Sequence, residues 1–581
     1  MQLHQFDYIF ALGLIFAFLD AWNIGANDVA NSFATSVSSR SLTLRQAMCI
    51  ASVMEFLGAV LVGSRVADTI RNKILSVSNF EAEPSVLMFG MLCALIGSST
   101  WLTIATKIGL PVSTTHCIVG GIIGVGVAAL GAEGVVWGWK GVAQIFAAWF
   151  IAPGISAAFA AIIFSLTKYL VFKAKNPLRA GLLMIPVYFG VTSGILTMVI
   201  VWKGAPKLNV STWSTGQVVG CIFGVAFGVV LLCFVFFIPF LHRKLAKDDW
   251  TLRWYEIFYG PLLFRRGPVP PPPEGSEAKA VQDYYRGHKT KEELEAALEP
   301  SRNDHVMATE KHEKHEKHEK DANASNAETT DITPVESPTR PEPSALAAAE
   351  EKALGPWYKP TNLLRTLKWA FFRGVDQDVV SSQARNKVGA LSGNLEHMHA
   401  NTPHYDNKTE HLYSFLQVLT AATASFAHGS NDVSNAMGPL SAIYLIWNSG
   451  ALSSKSEVPI WVLIYGGAAI VIGLWTYGYH IMRNLGNRLT LHSPSRGFSM
   501  ELGAAITVVL ATRLALPIST TQCIVGATVG VGLCTGTLKS INWRMVSWIY
   551  FGWIVTLPVA GLISGCLMGF VINAPSWGNA L

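Results

Sequence analysis

The sequence predicts an all-α, polytopic membrane protein with about twelve transmembrane helices in two inverted repeats that contain broken or re-entrant helices. Three observations support this fold class. Hydrophobic residues make up 51% of the chain and charged residues 14%, against about 25% charged residues in ordinary soluble domains. Several uncharged stretches exceed the roughly 20 residues needed to cross a bilayer. Two polar motifs each occur twice and in the same order, which is typical of transporters built from internal repeats.

The apolar segments give the predicted spans. Seven precede a central polar region, at 6–38, 44–66, 84–106, 108–130, 141–167, 181–201 and 214–241. Five follow it, at 411–446, 458–480, 498–514, 515–537 and 545–572. The predicted domains are therefore an N-terminal membrane half at 1–241 with the first repeat and extra helices, a mostly disordered loop at 242–410, and a C-terminal membrane half at 411–581 with the second repeat.

The loop prediction depends on composition and charge. Residues 242–410 are rich in Lys, Glu, Ser and Pro and contain too few apolar residues to form a core. Basic residues flank the loop at both membrane edges, which places it in the cytoplasm. Seven crossings before the loop and five after it then put both termini outside. The two motif copies enter the membrane from opposite sides, so the repeats are predicted to be inverted.

The composition also excludes several classes. The net charge of +6 is modest and no basic face with interleaved aromatic residues occurs, so nucleic acid is not an indicated partner. No combination of nucleophile and base, and no Walker-type motif, indicates an enzyme. No metal-spaced cysteine pair indicates a cofactor or a metal centre. The lipid bilayer is the expected surrounding, a homo-oligomer is compatible with the sequence, and the loop offers residues to regulatory kinases or ubiquitin machinery.

The first motif is GANDVAN at 25–31, and it recurs about 404 positions later as GSNDVSN at 429–435. A carboxylate inside an apolar segment costs roughly 2.5 to 3.5 kcal/mol and therefore needs a partner. Carboxylate and amide oxygens suit a small cation such as sodium, and the flanking glycines permit unwinding that frees backbone carbonyls. The predicted sodium ligands are Asn27, Asp28, Asn31, Asn431, Asp432 and Asn435. The alternative is that these side chains only link helices.

The second motif is PVSTT at 111–115, repeated as PISTT at 517–521. Proline at a first helical position beside Ser and Thr predicts a helix start inside the membrane, where N–H groups, hydroxyls and the positive end of the helix dipole meet. Two such starts facing each other across an inverted repeat would surround a tetrahedral oxyanion. The predicted anion ligands are Ser113, Thr114, Thr115, Ser519, Thr520 and Thr521. The alternative is that the hydroxyls bond back to helix carbonyls.

These motifs resemble those of the inorganic phosphate transporter family, in its eukaryotic sodium-coupled branch and its fungal plasma-membrane members. The resemblance is carried by GANDVANSFATSVSSRSL at 25–42, LPVSTTHCIVG at 110–120, AHGSNDVSNAMGPL at 427–440 and LPISTTQCIVG at 516–526. It covers about 6–240 and 410–575 but not the loop. It implies twelve spans, phosphate uptake driven by sodium as the co-transported ion, no cofactor, and a plasma-membrane location. The anion ligands listed above then become phosphate ligands.

Further intramembrane residues differ between the repeats. Glu55 and Glu501 do not align with each other, but both match positions that the family uses in transport, so the resemblance assigns them to coupling. Asp20 has Ala424 at the matching place and is assigned no role. His428 corresponds to Ile24 and is interpreted as a packing residue. A proton-coupled phosphate carrier, a carrier of another oxyanion and a non-transporting phosphate sensor are the alternatives to sodium symport.

Overall fold

The structure is a computed structural model. It describes residues 3–64, 74–75, 77–139, 141–203, 212–271, 280–296, 388–389, 393–452, 458–513 and 518–574, together with 362, 365–366, 369, 372 and 391. The chain forms two compact units, Met1–Gly287 with Gly374–Leu581, and His288–Arg373. In the second unit the description covers mainly 288–296, with a helical turn at 291–296. Most of the predicted loop lies outside the described residues, so the predicted domain boundaries stay a prediction.

The first half of the main unit is helical. α1 (Asp7–Asn23) continues through a π-helical turn (Ile24–Val29) into α2 (Ala30–Ser38), followed by α3 (Leu44–Val62), α4 (Pro84–Ile108), α5 (Thr114–Leu130), α6 (Val142–Thr167), α7 (Pro177–Lys203) and α8 (Thr215–Leu232). A π-helical turn at Lys168–Phe172 extends α6. Two more, at Cys233–Phe237 and His242–Ala246, flank the short α9 (Ile238–Leu241). Short 3-10 helices lie at His4–Phe6, Val77–Phe80, Ala132–Gly134 and Trp254–Arg265.

The second half of the main unit is also mostly helical. A two-stranded hairpin, β1 (Val388–Gly389) and β2 (Gly393–Asn394), precedes α10 (Leu395–Ala400). Then follow α11 (Asn407–Ser449), α12 (Ile460–Asn484), α13 (Pro494–Arg513), α14 (Thr520–Leu533) and α15 (Trp543–Asn573), with 3-10 helices at Gly486–Arg488 and Leu538–Ser540. The hairpin is antiparallel, with Val388 opposite Asn394.

The helices confirm the predicted class of polytopic membrane protein. Within the described residues, eight helices are long and apolar enough to cross a membrane. The helices α11 and α13 cover two further predicted spans, and α11 carries the polar residues of the second GSNDVSN motif. The apolar helices α5 and α14 have 17 and 14 residues. At 1.5 Å per residue, α14 is about 21 Å long and is too short for a hydrocarbon core of about 30 Å, which fits a re-entrant segment.

The two copies of the first motif lie on antiparallel helices. Near the end of α11, Trp447 Nε1 donates to Asp7 Oδ1 at the start of α1 over 2.7 Å. Phe10 of α1 stacks on the same Trp447, with ring centroids 4.6 Å apart. Corresponding helices that run in opposite directions are the arrangement predicted for inverted repeats.

The halves interlock by exchanging equivalent contacts. The first-repeat helix α1 packs against α12 of the second repeat, while α11 packs against α3 of the first. A Cβ atom on Gly58 of α3 would lie 2.2 Å from the carbonyl oxygen of Phe426, and one on Gly473 of α12 would lie 1.9 Å from that of Trp22. In the same way, α5 packs against α15 and α14 packs against α6. Each half therefore completes the packing of the other.

The chain after α9 is held by one buried and one half-buried ion pair. Arg243 Nε lies 2.8 Å from Asp249 Oδ2, and Arg266 lies 2.6 Å from Glu256. Burial would raise the pKa of the Asp249 carboxyl, but hydrogen bonds from Thr251 and Arg243 outweigh burial and lower the pKa. This part of the predicted loop is therefore fixed to the end of the preceding span.

Residues 280–287 also contact the membrane helices. Gln282 donates to the carbonyl oxygen of Arg40 at the end of α2 over 2.8 Å. The hydroxyl of Tyr285 donates to Glu410 near the start of α11 over 2.9 Å. Glu410 in turn accepts the backbone N–H of Ser495 at the start of α13 over 2.8 Å. A segment predicted as loop thus joins the ends of three helices.

Candidate functional site

The first motif copy lies in the π-helical turn between α1 and α2. Its Asn27 is fully buried and donates to Thr106 Oγ1 over 3.0 Å and to the carbonyl oxygen of Leu110 over 3.1 Å. Its Oδ1 accepts the N–H of Val112 over 3.2 Å. Asn27 therefore fastens the π-helical turn to the segment that leads into α5. The side chain of Asn31 lies outside the described residues, so its predicted role as a sodium ligand stays a prediction.

The second motif copy differs from the expected geometry. The sequence predicted unwinding at both Gly25 and Gly429, and this is wrong for Gly429, because α11 continues as one α-helix through the motif. A Cβ on Gly429 would lie 2.3 Å from the carbonyl oxygen of Glu55, and one on Gly25 would lie 1.9 Å from that of Ile470. Both glycines are thus required for close helix approach, and only the first also lies in an altered helix.

The two Ser-Thr-Thr segments begin helices in the same way. Ser113 and Ser519 are the N-caps of α5 and α14, with nearly equal backbone angles, and their hydroxyls accept the N–H groups of His116 and Gln522. The predicted position of proline at the first helical residue is wrong for Pro111, since α5 begins at Thr114. A serine hydroxyl satisfies a free N–H at a helix start, so serine rather than proline sets the boundary. Pro517 lies outside the described residues.

The predicted sodium ligands and anion ligands form one cluster. Thr114 Oγ1 donates to Asp28 Oδ2 over 2.7 Å, and Thr521 Oγ1 donates to Asp28 Oδ1. Thr520 Oγ1 donates to Asp432 Oδ2 over 2.7 Å, and Thr115 Oγ1 approaches Asp432 Oδ1 at 3.5 Å. Each aspartate thus contacts one threonine from its own repeat and one from the other repeat. The cluster lies where the repeats meet.

Asparagines of α11 complete the cluster. The amide of Asn435 donates to Thr114, Thr115 and Asp432 over 3.0 to 3.2 Å. The amide of Asn431 donates to the carbonyl oxygen of Ile518 over 3.1 Å, while its Oδ1 is buried with no hydrogen-bond partner in the described part of the chain. An amide oxygen in this position is suited to a cation.

His428 is a site residue that the sequence interpretation missed. It is 1% exposed, and its Nδ1 lies 2.7 Å from Glu55 Oε2 while its Nε2 lies 2.9 Å from Asp432 Oδ2. Ser425 donates to the other oxygen of Glu55 over 2.8 Å. The imidazole therefore links the predicted coupling residue Glu55 to the central cluster. Its position directly before GSNDVSN was the available signal, but the absence of a histidine in the other repeat argued against a role.

Ligand atoms of Asp28, His428 and Asp432 all lie within 4.8 Å of one another, and all three residues are buried. At an effective dielectric constant of about 20, two carboxylate charges at this separation repel each other by about 3 kcal/mol. A bound cation would remove this repulsion. The oxygen-rich donor set fits a hard cation such as sodium.

Glu501 forms a separate buried cluster. Its Oε1 accepts from Thr35 Oγ1 over 2.6 Å, Ser36 Oγ over 2.5 Å and Gln417 Nε2 over 3.1 Å, and its Oε2 accepts from Thr420 Oγ1 over 2.6 Å. These donors come from α2, which directly follows the π-helical turn of the first motif copy, and from α11, which carries the second copy. No lysine or arginine in the described part of the chain forms an ion pair with Glu501. The structure therefore places the two predicted coupling residues in different surroundings.

Comparison with known proteins agrees with this geometry. The model of the phosphate transporter family matches residues 24–564. The chain belongs to the phosphate transporter family. It is 52% identical to the phosphate-repressible phosphate permease pho-4 of Neurospora crassa, with 100% of both chains covered. It is 32% identical to the sodium-dependent phosphate transporter 2 of Homo sapiens, over 98% of this chain and 99% of that protein.

A solved structure supports the same fold. The structure titled "The sodium-dependent phosphate transporter" is similar to this chain with a TM-score of 0.64 and 26% identity, covering 98% of this chain and 100% of that one. The family predicted from the motifs is thereby confirmed, as is the helical membrane architecture. Membership of a transporter family implies a transport role rather than an enzymatic one.

Proposed function

We propose that this chain is a secondary transporter that carries sodium and inorganic phosphate together into the cell across the plasma membrane. The site would open alternately to each side of the membrane. One observation carries the proposal: at the interface of two inverted repeats, two buried aspartates meet four threonine hydroxyls from two opposed helix starts. The names of the relatives, which specify phosphate and, for the human protein, sodium dependence, support this assignment.

In this proposal the phosphate is held by the starts of α5 and α14. Its ligands are Ser113, Thr114, Thr115, Ser519, Thr520 and Thr521, with the backbone N–H groups of both helix starts. The four threonine hydroxyls that donate to the aspartates would rotate toward the phosphate oxygens when the anion binds. The serine hydroxyls already accept from backbone N–H groups, so they would donate their protons to the anion while keeping the caps.

Sodium makes this anion site possible. Two buried carboxylates and a phosphate would place at least three negative charges close together, so an anion alone is repelled. A sodium ion at Asp28 or Asp432, with the amide oxygen of Asn431, neutralises part of this charge and favours phosphate binding. By linkage, phosphate favours sodium to the same extent. This reciprocal dependence is the proposed physical basis of symport.

The remaining predicted residues act around this centre. Asn27 would position the π-helical turn, and Asn435 would orient the threonines. Glu55 would influence coupling through His428, and Glu501 would do so at the contact of α2 with α11. For orientation, we propose both termini outside and residues 242–410 in the cytoplasm, since basic residues flank that segment.

A proton-coupled phosphate carrier is the second candidate. The observation that favours it is His428, which lies between two carboxylates and can exchange a proton with either of them. In that case the site would exchange protons instead of sodium ions.

One experiment tests both candidates. Radiolabelled phosphate uptake is measured in cells that lack other phosphate carriers, with sodium replaced by choline, at acidic and alkaline pH. Uptake that needs sodium and persists at alkaline pH supports the symporter. Sodium-independent uptake that falls as pH rises supports proton coupling. Binding of phosphate by surface-expressed protein without any uptake contradicts both and indicates a sensor.

A further inference from the structure

A line of polar side chains leads away from the central cluster along α1. Asp20, Asn23 and Asn27 lie on successive turns and all face α4. Asp20 Oδ1 accepts from Ser98 Oγ over 2.7 Å. Asn23 Nδ2 donates to Thr103 Oγ1 over 2.9 Å and approaches the carbonyl oxygen of Ser99 at 3.5 Å. The contact of α1 and the following π-helical turn with α4 is thus polar over three turns inside an otherwise apolar region.

Two oxygens in this line lack partners. Asp20 Oδ2 and Asn23 Oδ1 have no hydrogen-bond partner in the described part of the chain, and both residues are 0% exposed. Both atoms are hydrogen-bond acceptors separated by one helical turn. No basic side chain among the described residues forms an ion pair with Asp20. A buried carboxylate without a partner is costly, so this place calls for a positively charged ligand.

We propose that Asp20 and Asn23 form a second sodium site within the first repeat, separate from the site at Asp28. The ligands on α1 are Asp20 Oδ2 and Asn23 Oδ1, and α4 supplies oxygen atoms of Ser98 and Ser99. This inference rests on the proposed sodium symport and adds a further ion to it. Asp20 lies eight positions before Asp28, which corresponds to about 12 Å along a helix, so one ion does not occupy both places.

The second repeat lacks this site. Ala424 and Ala427 of α11 occupy the positions that correspond to Asp20 and Asn23. Packing of the antiparallel partner helix therefore does not require polar side chains at these positions. The difference also makes the two repeats unequal in the number of ions they hold. Replacing Asp20 and Asn23 by alanine would therefore give the first repeat the residues that the second repeat has at these positions.

The test uses the purified full-length chain in proteoliposomes, with labelled sodium and labelled phosphate influx measured in the same vesicles. In Asp20→Asn, which preserves side-chain size, phosphate uptake should persist with one sodium ion fewer per phosphate. Asp20→Ala with Asn23→Ala, which copies the second repeat, should behave alike. Glu133→Gln, which alters an exposed carboxylate, is the matched control.

Equilibrium binding gives an independent measurement. In detergent, a protein with both Asp28→Asn and Asp432→Asn should still bind labelled sodium, and adding Asp20→Asn should remove that binding. Unchanged sodium-to-phosphate ratios in the Asp20 variants overturn the proposal, as does an absence of residual sodium binding in the protein with both central aspartates replaced. A change confined to the pH dependence of uptake also overturns it, since Asp20 would then carry a proton. Sodium-independent uptake by the unaltered chain would instead refute the proposed symport itself.

Discussion

Replacing Asp28 by asparagine should separate ion binding from folding. The substitution keeps the size and shape of the side chain, but it removes one negative charge from the central cluster. The amide oxygen can accept from one of Thr114 and Thr521, while the hydroxyl of the other must rotate to accept from the amide N–H₂. At about 4 Å and an effective dielectric constant of about 20, a carboxylate attracts a sodium ion by about 4 kcal/mol. Loss of this attraction lowers sodium affinity by about three orders of magnitude. Sodium-driven phosphate uptake should therefore be abolished at ordinary sodium concentrations.

The same substitution should not destabilise the sodium-free protein. The carboxylates of Asp28 and Asp432 lie within 4.8 Å, and the repulsion of about 3 kcal/mol between them disappears in the variant. Its melting temperature in sodium-free detergent should therefore equal or exceed that of the unaltered chain. Added sodium should raise the melting temperature of the unaltered chain more than that of the variant.

The assay combines surface labelling, phosphate uptake over a sodium titration and thermal unfolding with and without sodium. Asp432→Asn provides the matched variant from the other repeat and should also lose uptake with surface expression intact. Normal uptake with an unchanged sodium dependence in both variants would refute the electrostatic reasoning. A fall in surface expression that explains all lost uptake would show that the aspartates serve packing.

Three further changes test other parts of the structure. Gly429→Ala places a Cβ 2.3 Å from a carbonyl oxygen of α3. This overlap should lower the free energy of unfolding by about 1–3 kcal/mol and the melting temperature with it. Gly224→Ala, which has open space around it, should leave the melting temperature unchanged, and equal melting temperatures for the two variants would contradict the close-packing argument. Glu501→Gln places an amide N–H₂ against hydroxyl and amide groups that donate to the carboxylate in the unaltered chain. Phosphate uptake should fall while surface expression is retained. Normal uptake with an unchanged sodium dependence would show that Glu501 has no role in coupling. The pKa of Asp249 is lower in the folded chain than its ordinary value of 3.8. Its ion pair therefore stabilises the folded chain fully at pH values above 3.8, and this stabilisation is lost as the pH falls through the lower pKa of the folded chain. Asp249→Asn should thus unfold at lower temperature than the unaltered chain at neutral pH, with the difference shrinking in strong acid; a difference independent of pH would contradict the ion-pair explanation.

The sequence predicted two repeats and selected polar residues that the structure brings together in one cluster, because both follow from local patterns. Duplicated GANDVAN and Ser-Thr-Thr motifs in apolar segments are recognisable without knowing any contact. It failed at Gly429, where the same residue type serves helix unwinding in one context and close packing in another. It also gave Asp20 and His428 no role, because the comparison of the two repeats selects residues that occur in both, and each of these residues occurs in only one.

The sequence by itself determined that this protein is an all-helical membrane protein with two related halves, and which polar residues those halves share. Apolar length and repeated motifs suffice for this, since each is fixed by neighbouring residues. Only the tertiary structure decided that Thr521 meets Asp28, that His428 joins Glu55 to Asp432, and that Glu501 lies apart from them. These contacts join residues hundreds of positions apart, and they depend on how antiparallel helices from the two repeats interlock, which no local pattern encodes.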